Sequence, residues 1–203
     1  MHLYRRLSLL PLLIVSAASF STPARTPDQP AHVQVSLFND AHIDAATLAE
    51  AQARASFLFS QAGIEIDWLA CRPADPSDFS PSASPCSALV WPAHLSVRIR
   101  PRALSASPET FGQAFVDAAG QGIYSNVYYQ NLALSSNHPQ LSDADMLGFV
   151  IAHELGHLLL GSNSHSPSGL MRARWDASAL QAVSHHTLFF TPAQSATLRS
   201  RLA

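Results

Sequence analysis

Apolar positions along the chain fall into short alternating runs, interrupted by two stretches of helical spacing. Val33, Val35 and Leu37 alternate with Gln34 and Ser36, the two-residue period of a half-buried strand. Asn39–Asp44 breaks that period. Leu48, Ala51, Ala55, Leu58 and Ala62 then recur at helical spacing until Gly63, which predicts a helix with one inward face. Ile64–Trp68 alternates again, and Leu95–Arg100 gives a third strand ended by Pro101. Phe111–Val116 and Ile123–Tyr129 flank Asp117–Gly122, whose two glycines predict a hairpin. After a loop over Asn131–Leu141, a second apolar stripe begins: Leu147, Ile151, Leu155 and Leu158. Ser142 caps this helix, Asp145 three residues later fits a capping box, and Asp143 adds favourable charge to the first turn. Gly161 is its stop. Ser162–Gly169 reads as loop, and Thr191-Pro192 opens a last helix through Leu202. Arg172–Phe190 follows no single period and is left unassigned.

Strand, helix, strand, strand, hairpin, helix is the order of a mixed sheet carrying helices, in one α+β domain without internal repeats. Ahead of it, Arg5 and Arg6 precede an apolar run from Leu7 to Ala18, broken by Pro11 and ending in the small residues Ser16-Ala17-Ala18. Residues 1–20 therefore read as a secretory signal, with cleavage between Ala17 and Ser21. The run falls short of the roughly 20 apolar residues a bilayer span needs, so export is expected over a retained anchor. Residues 21–31 form a flexible Pro-rich lead-in, and residues 32–203 suffice for one core. The expected location is secreted or periplasmic, and the expected state is a monomer.

Charge narrows the partners. Without Arg5 and Arg6, 10 basic residues face 14 acidic ones, a net charge of −4, and no basic cluster stands out. That argues against nucleic acid or an anionic membrane as partner. Every basic residue apart from histidine is arginine. Cys71 and Cys86 are the only cysteines, and an exported chain would join them across Arg72–Pro85. Neither cysteine has metal-ligand spacing with a second one.

The chemistry concentrates in Ile151–His165. His153-Glu154-Leu155-Gly156-His157 places two imidazoles four residues apart, hence on one helix face and one turn apart. That spacing suits two nitrogens on one tetrahedral zinc ion, with Glu154 beside them to reach a metal-bound water. The plainer alternative is a pair of helix histidines satisfied by hydrogen bonds. A helix this apolar has little reason to carry them, since each buried unpaired polar group costs roughly 1–3 kcal/mol. A catalytic zinc needs a third protein ligand. No Glu follows Glu154, which leaves His165, Asp176 and the His185/His186 pair. Proximity favours His165, because Gly161 ends the helix and Ser162–Ser164 can turn the chain back.

These residues resemble the extended motif of the metzincin zinc peptidases: His153-Glu154-x-x-His157, then Gly161, then His165. Ser166-Pro167-Ser168-Gly169-Leu170-Met171 resembles the His-Ser…Gly-x-Leu-Met run of the matrixin-type members, in which a methionine turn lies beneath the metal. The spacing departs from the family. Gly161 follows His157 by four residues instead of three, His165 follows it by eight instead of six, and Met171 comes sooner after the third histidine. No Tyr stands just after Met171.

The resemblance implies a zincin-like α+β domain with a sheet edge strand above the active-site helix. It implies zinc on His153, His157 and His165, Glu154 as general base, Met171 in the methionine turn, and endopeptidase activity on protein or peptide substrates. The substrate edge would come from the hairpin Phe111–Tyr129, with Tyr124, Tyr128 and Tyr129 as candidate cleft residues. The alternative from another class is an exported zinc-binding interaction or inhibitor module without hydrolysis. Such a module would need the histidines but not Glu154.

Overall fold

The computed structural model describes residues 30–72, 84–102, 110–135, 141–161 and 164–203, with the side chains of 133–135 excepted. The expected signal, its cleavage site and most of the lead-in lie outside the described residues, as do the middle of the Cys71–Cys86 loop and parts of the loops on either side of the motif helix.

The sheet has five strands in the order β2-β1-β3-β5-β4: β1 (Ala31–Asn39), β2 (Ile64–Cys71), β3 (His94–Arg100), β4 (Gly112–Phe115) and β5 (Tyr124–Tyr128). β1 pairs in parallel with both β2 and β3, β3 pairs in parallel with β5, and only β4 runs antiparallel. Val33, Val35 and Leu37 are buried, as their alternation predicts. β3 sits mid-sheet and is buried on both faces from His94 to Val97, which removes alternation as a signal there. On one of those faces His94 is a satisfied structural histidine, 2.8 Å from Ser36 Oγ and 2.9 Å from the Ala88 carbonyl. Cys71 at the end of β2 is bonded to Cys86 in a one-turn helix (Pro85–Ser87), which ties the loop back to the sheet.

Helix α1 (Ala45–Ser60) connects β1 to β2, with Asp44 as its N-cap. Its inward Ala51, Ala55, Leu58 and Phe59 pack against the motif helix, α3 (Asp143–Leu160). Thirteen of the eighteen α3 residues are buried, so the helix that carries the motif is held from nearly every side. Each fully buried Leu or Ile on it contributes about 1.5–3 kcal/mol. Ser142 caps α3, its Oγ accepting from the Asp145 N–H at 3.0 Å. Asp145 does not complete the expected reciprocal box. Its carboxylate takes the Ser142 hydroxyl at 2.9 Å and Arg54 of α1 at 2.9 Å, which fastens the two helices together.

Two elements differ from the sequence expectation. The segment read as the end of a strand and a loop contains helix α2 (Tyr129–Ser135), so β5 stops at Tyr128. Aromatic residues run unbroken from strand into helix there and hide the boundary. The unassigned stretch holds α4 (Ala177–Ser184), capped by Asp176 and burying only Ala179 and Val183. α5 (Pro192–Leu202) starts with a complete capping box from Thr191 and Gln194. It locks the C-terminal ends of α1 and α3, with Arg199 donating to the Ala62 carbonyl at 2.8 Å and Arg201 to Leu159 at 2.6 Å. Among the described residues no helix is long and apolar enough to cross a membrane.

Candidate active site

α3 presents His153 and His157 to a cleft of about 730 Å³ beneath the edge strand β4. Their Nε2 atoms lie 3.0 Å apart. His153 Nδ1–H donates to the Leu170 carbonyl at 2.8 Å, which fixes its tautomer and leaves Nε2 as a bare lone pair. The Ser164 hydroxyl, 2.6 Å from His157 Nδ1, can accept that proton in the same way. Two bare imidazole nitrogens at 3.0 Å repel each other unless a cation lies between them. His165 completes the group: the candidate ligand atoms of His153, His157 and His165 all lie within 4.8 Å of one another. Among the described residues this is the one such cluster of His, Cys, Asp and Glu, and its chemistry fits a metal ion held by neutral imidazoles. Burial keeps the first two neutral, lowering His153 to about 4 and His157 to about 3, with the neighbouring His165 adding to both shifts.

Gly161 makes the return of the chain possible. It closes α3 with φ +85° and ψ −163°, a region open essentially to glycine, and its N–H still bonds the His157 carbonyl at 2.9 Å. The chain comes back with Ser164 against His157 and His165 beside both rings. The other third-ligand candidates are engaged elsewhere. Asp176 caps α4, accepts from Ser178 at 2.6 Å and pairs with Arg172 at 2.7 Å. His186 lies against Arg54 and Asp145, and His185 caps the C-terminal end of α4.

Beneath the histidines, the turn from Ser166 to Met171 is closed by the Ser166 N–H on the Met171 carbonyl at 2.8 Å. Met171 is fully buried. A Cβ on Gly156 would stand 2.6 Å from the Met171 sulfur, so the glycine between the two histidines is what lets the methionine lie under the helix.

Glu154 lines the same cleft with its carboxyl against Gly112 of β4, and is 5% exposed. Burial raises its carboxyl to about 8, and the Ala114 N–H of β4 donates to it, which works in the opposite direction. Gly112 crosses directly over this carboxylate: a Cβ there would fall 2.5 Å from Oε1. Phe111 accepts from the Tyr128 N–H at 2.8 Å, so by alternation Gly112 and Ala114 turn their backbone groups to the outer edge of the sheet, which no other described strand pairs with.

Sequence reading missed Gly112 and Trp175. A glycine inside a strand pattern is a sign of close backbone approach, and that was the available signal for Gly112. Trp175 forms the opposite wall, with its ring edge-on to His153 (centroids 5.8 Å apart) and within 6.4 Å of Phe111 and Phe149. No local pattern foretells that contact. The three tyrosines considered for the cleft do not line it. Tyr124 donates to Asn126, Tyr128 to Gln113 and Tyr129 to Asp143.

No family model matches the chain, and no curated protein matches it. Solved structures do. An archaemetzincin from Methanopyrus kandleri aligns with a TM-score of 0.52 at 18% identity, over 84% of this chain and 96% of that one. A zinc-dependent peptidase from Methanocorpusculum labreanum gives 0.51 at 14%, over 81% and 99%. An archaemetzincin from Archaeoglobus fulgidus gives 0.50 at 16%, also over 81% and 99%. At these identities the likeness establishes the fold, a zincin-like α+β domain.

Proposed function

We propose that this chain is an exported zinc-dependent endopeptidase of metzincin type, with His153, His157 and His165 as the zinc ligands and Glu154 as the general base. The observation that carries the reading is the three-histidine cluster with Glu154 beside it, in a cleft roofed by the edge strand of the described sheet. The similarly folded proteins, a zinc-dependent peptidase and an archaemetzincin, support it. The buried Met171 under Gly156 supports the resemblance to the methionine turn. Export is supported by the Cys71–Cys86 disulfide, a bond that persists in oxidising compartments.

A zinc ion bound there would polarise the scissile carbonyl and make water nucleophilic near neutral pH. The chain's own residues do the rest. Leu170 and Ser164 hold the two helix imidazoles in the orientation that bares Nε2. The outward backbone groups of Gly112 and the Ala114 carbonyl pair with an extended peptide and lay its scissile bond over Glu154, which the Ala114 N–H holds in place. Glu154 accepts a proton from the attacking water and delivers it to the amine nitrogen as the C–N bond breaks.

The test is hydrolysis of an internally quenched peptide library by the purified domain. Cleavage that is lost on chelation, restored by zinc and absent in Glu154→Gln supports the reading. Zinc binding with no cleavage of any peptide would instead favour a non-hydrolytic zinc module.

A further inference from the structure

The wall of the cleft opposite β4 is the segment Arg172-Ala173-Arg174-Trp175-Asp176. It is pinned at both ends. Arg172 pairs with Asp176 at 2.7 Å, and Asp176 in turn caps α4 through the Ala179 N–H at 2.9 Å. Trp175 is held against Phe111, Phe149 and the His153 ring. The residue between these fixed points is Arg174. It lines the cleft, is exposed, and among the described residues makes no hydrogen bond, ion pair or ring contact. The charges around the cleft are then accounted for: Arg172 and Asp176 neutralise each other, Glu154 faces the scissile bond, and Arg174 is the cation left over. In a chain of net negative charge, with a rim this well ordered, a free guanidinium beside an aromatic wall is a binding group for an anion. Its planar fork matches a carboxylate.

We infer that the cleft takes peptides carrying a carboxylate close to the scissile bond, and that Arg174 binds it; this rests on the peptidase reading above. The carboxylate can be an acidic side chain or a free C-terminus, since the guanidinium meets the same group in either.

The test compares matched peptides in the zinc-loaded protein: Glu against Gln at each position around the cleavage site, and free C-terminal acid against amide. Native protein is expected to favour the acid by about tenfold or more in kcat/KM at one position, the size of a charged hydrogen bond. That ratio, taken within each variant, should fall to near one in Arg174→Ala, survive in part in Arg174→Lys and invert in Arg174→Glu. Preference for internal Glu identifies a side chain as the source, and preference for the free terminus identifies the C-terminus. Fluorescence anisotropy of labelled acid and amide peptides on Glu154→Gln reads the same preference without turnover. Cleavage with no acid preference anywhere would overturn the inference and leave the peptidase intact. So would a preference that persists in Arg174→Ala. Arg174-dependent binding without cleavage would overturn the peptidase reading and leave the carboxylate site standing.

Discussion

Gly112 of the edge strand lies so close over Glu154 of the motif helix that a single methyl group cannot be placed between them: a Cβ would meet Oε1 at 2.5 Å, Cγ at 2.6 Å and Cδ at 2.7 Å. The helix is buried in the core and β4 is held to β5 by its ladder, so the carboxylate is the most easily moved of the three. The carboxylate would have to yield.

Gly112→Ala should therefore displace Glu154 and leave the histidines alone. Misplacing a reacting group by about 1 Å can cost on the order of 100-fold. The expected result is a fall of that order in kcat/KM with zinc content unchanged, read by peptide hydrolysis beside metal analysis. Full activity in this variant would show that β4 does not hold Glu154.

Gly156 offers a test in which two physical effects have opposite signs. Helix propensity says that Gly156→Ala should stabilise the protein by about 1 kcal/mol. Packing says otherwise, because the new methyl would stand 2.6 Å from the Met171 sulfur and 2.9 Å from Phe190, whose ring is held against Phe59. Overpacking of a full core costs about 1–3 kcal/mol, so net destabilisation is expected in urea unfolding. A stabilised variant would mean that Met171 is not tightly seated under the helix.

The metal-free protein should be most stable near pH 6.5. His153 at about 4 and His157 at about 3 lie below their ordinary 6.5, so the unfolded chain binds their protons first and stability falls as pH drops below 6.5. Glu154 at about 8 lies above its ordinary 4.5, so the folded chain holds a proton that the unfolded chain has lost, and stability falls as pH rises from 4.5 to 8. Two histidines outweigh one glutamate below 6.5, and above it the glutamate acts without them. Thermal melts of chelated protein between pH 5 and 8.5 check this. A steady rise in melting temperature across the range would contradict it.

Much of this architecture was legible because its causes are local. Ser142 and Gly161 bracket the eighteen residues of the motif helix and Leu147–Leu158 gives its stripe, and the early strands show their two-residue period openly. What was not legible depends on distant parts meeting. β2 runs on to Cys71 as an edge strand whose middle is half-exposed on both faces, so its pattern fades after Trp68. α4 buries too little to show a stripe. Among His165, Asp176 and His185/His186, proximity favoured His165, but spacing says nothing of where the chain goes after Gly161 or of what already engages Asp176 and His186.

Joining Cys71 to Cys86 closes a loop with a sequence separation of 15. Loop entropy assigns such a bond about 3 kcal/mol. Replacing both cysteines with serine should lower the melting temperature by roughly 6–12 °C for a domain of this size. Zinc content should not change, since the bond lies at the β2 end of the sheet, away from the cleft. Loss of zinc in that variant would show that the two regions are coupled.

The most direct measurement is zinc content by mass spectrometry of the purified mature domain, comparing the native chain with Glu154→Ala and His165→Ala. The account predicts about one zinc per native chain, the same in Glu154→Ala, and a clear loss in His165→Ala, since three protein ligands are usual for a catalytic zinc. Equal zinc in all three would remove His165 from the ligand set. A native chain that takes up no zinc after reconstitution would contradict the account at its centre.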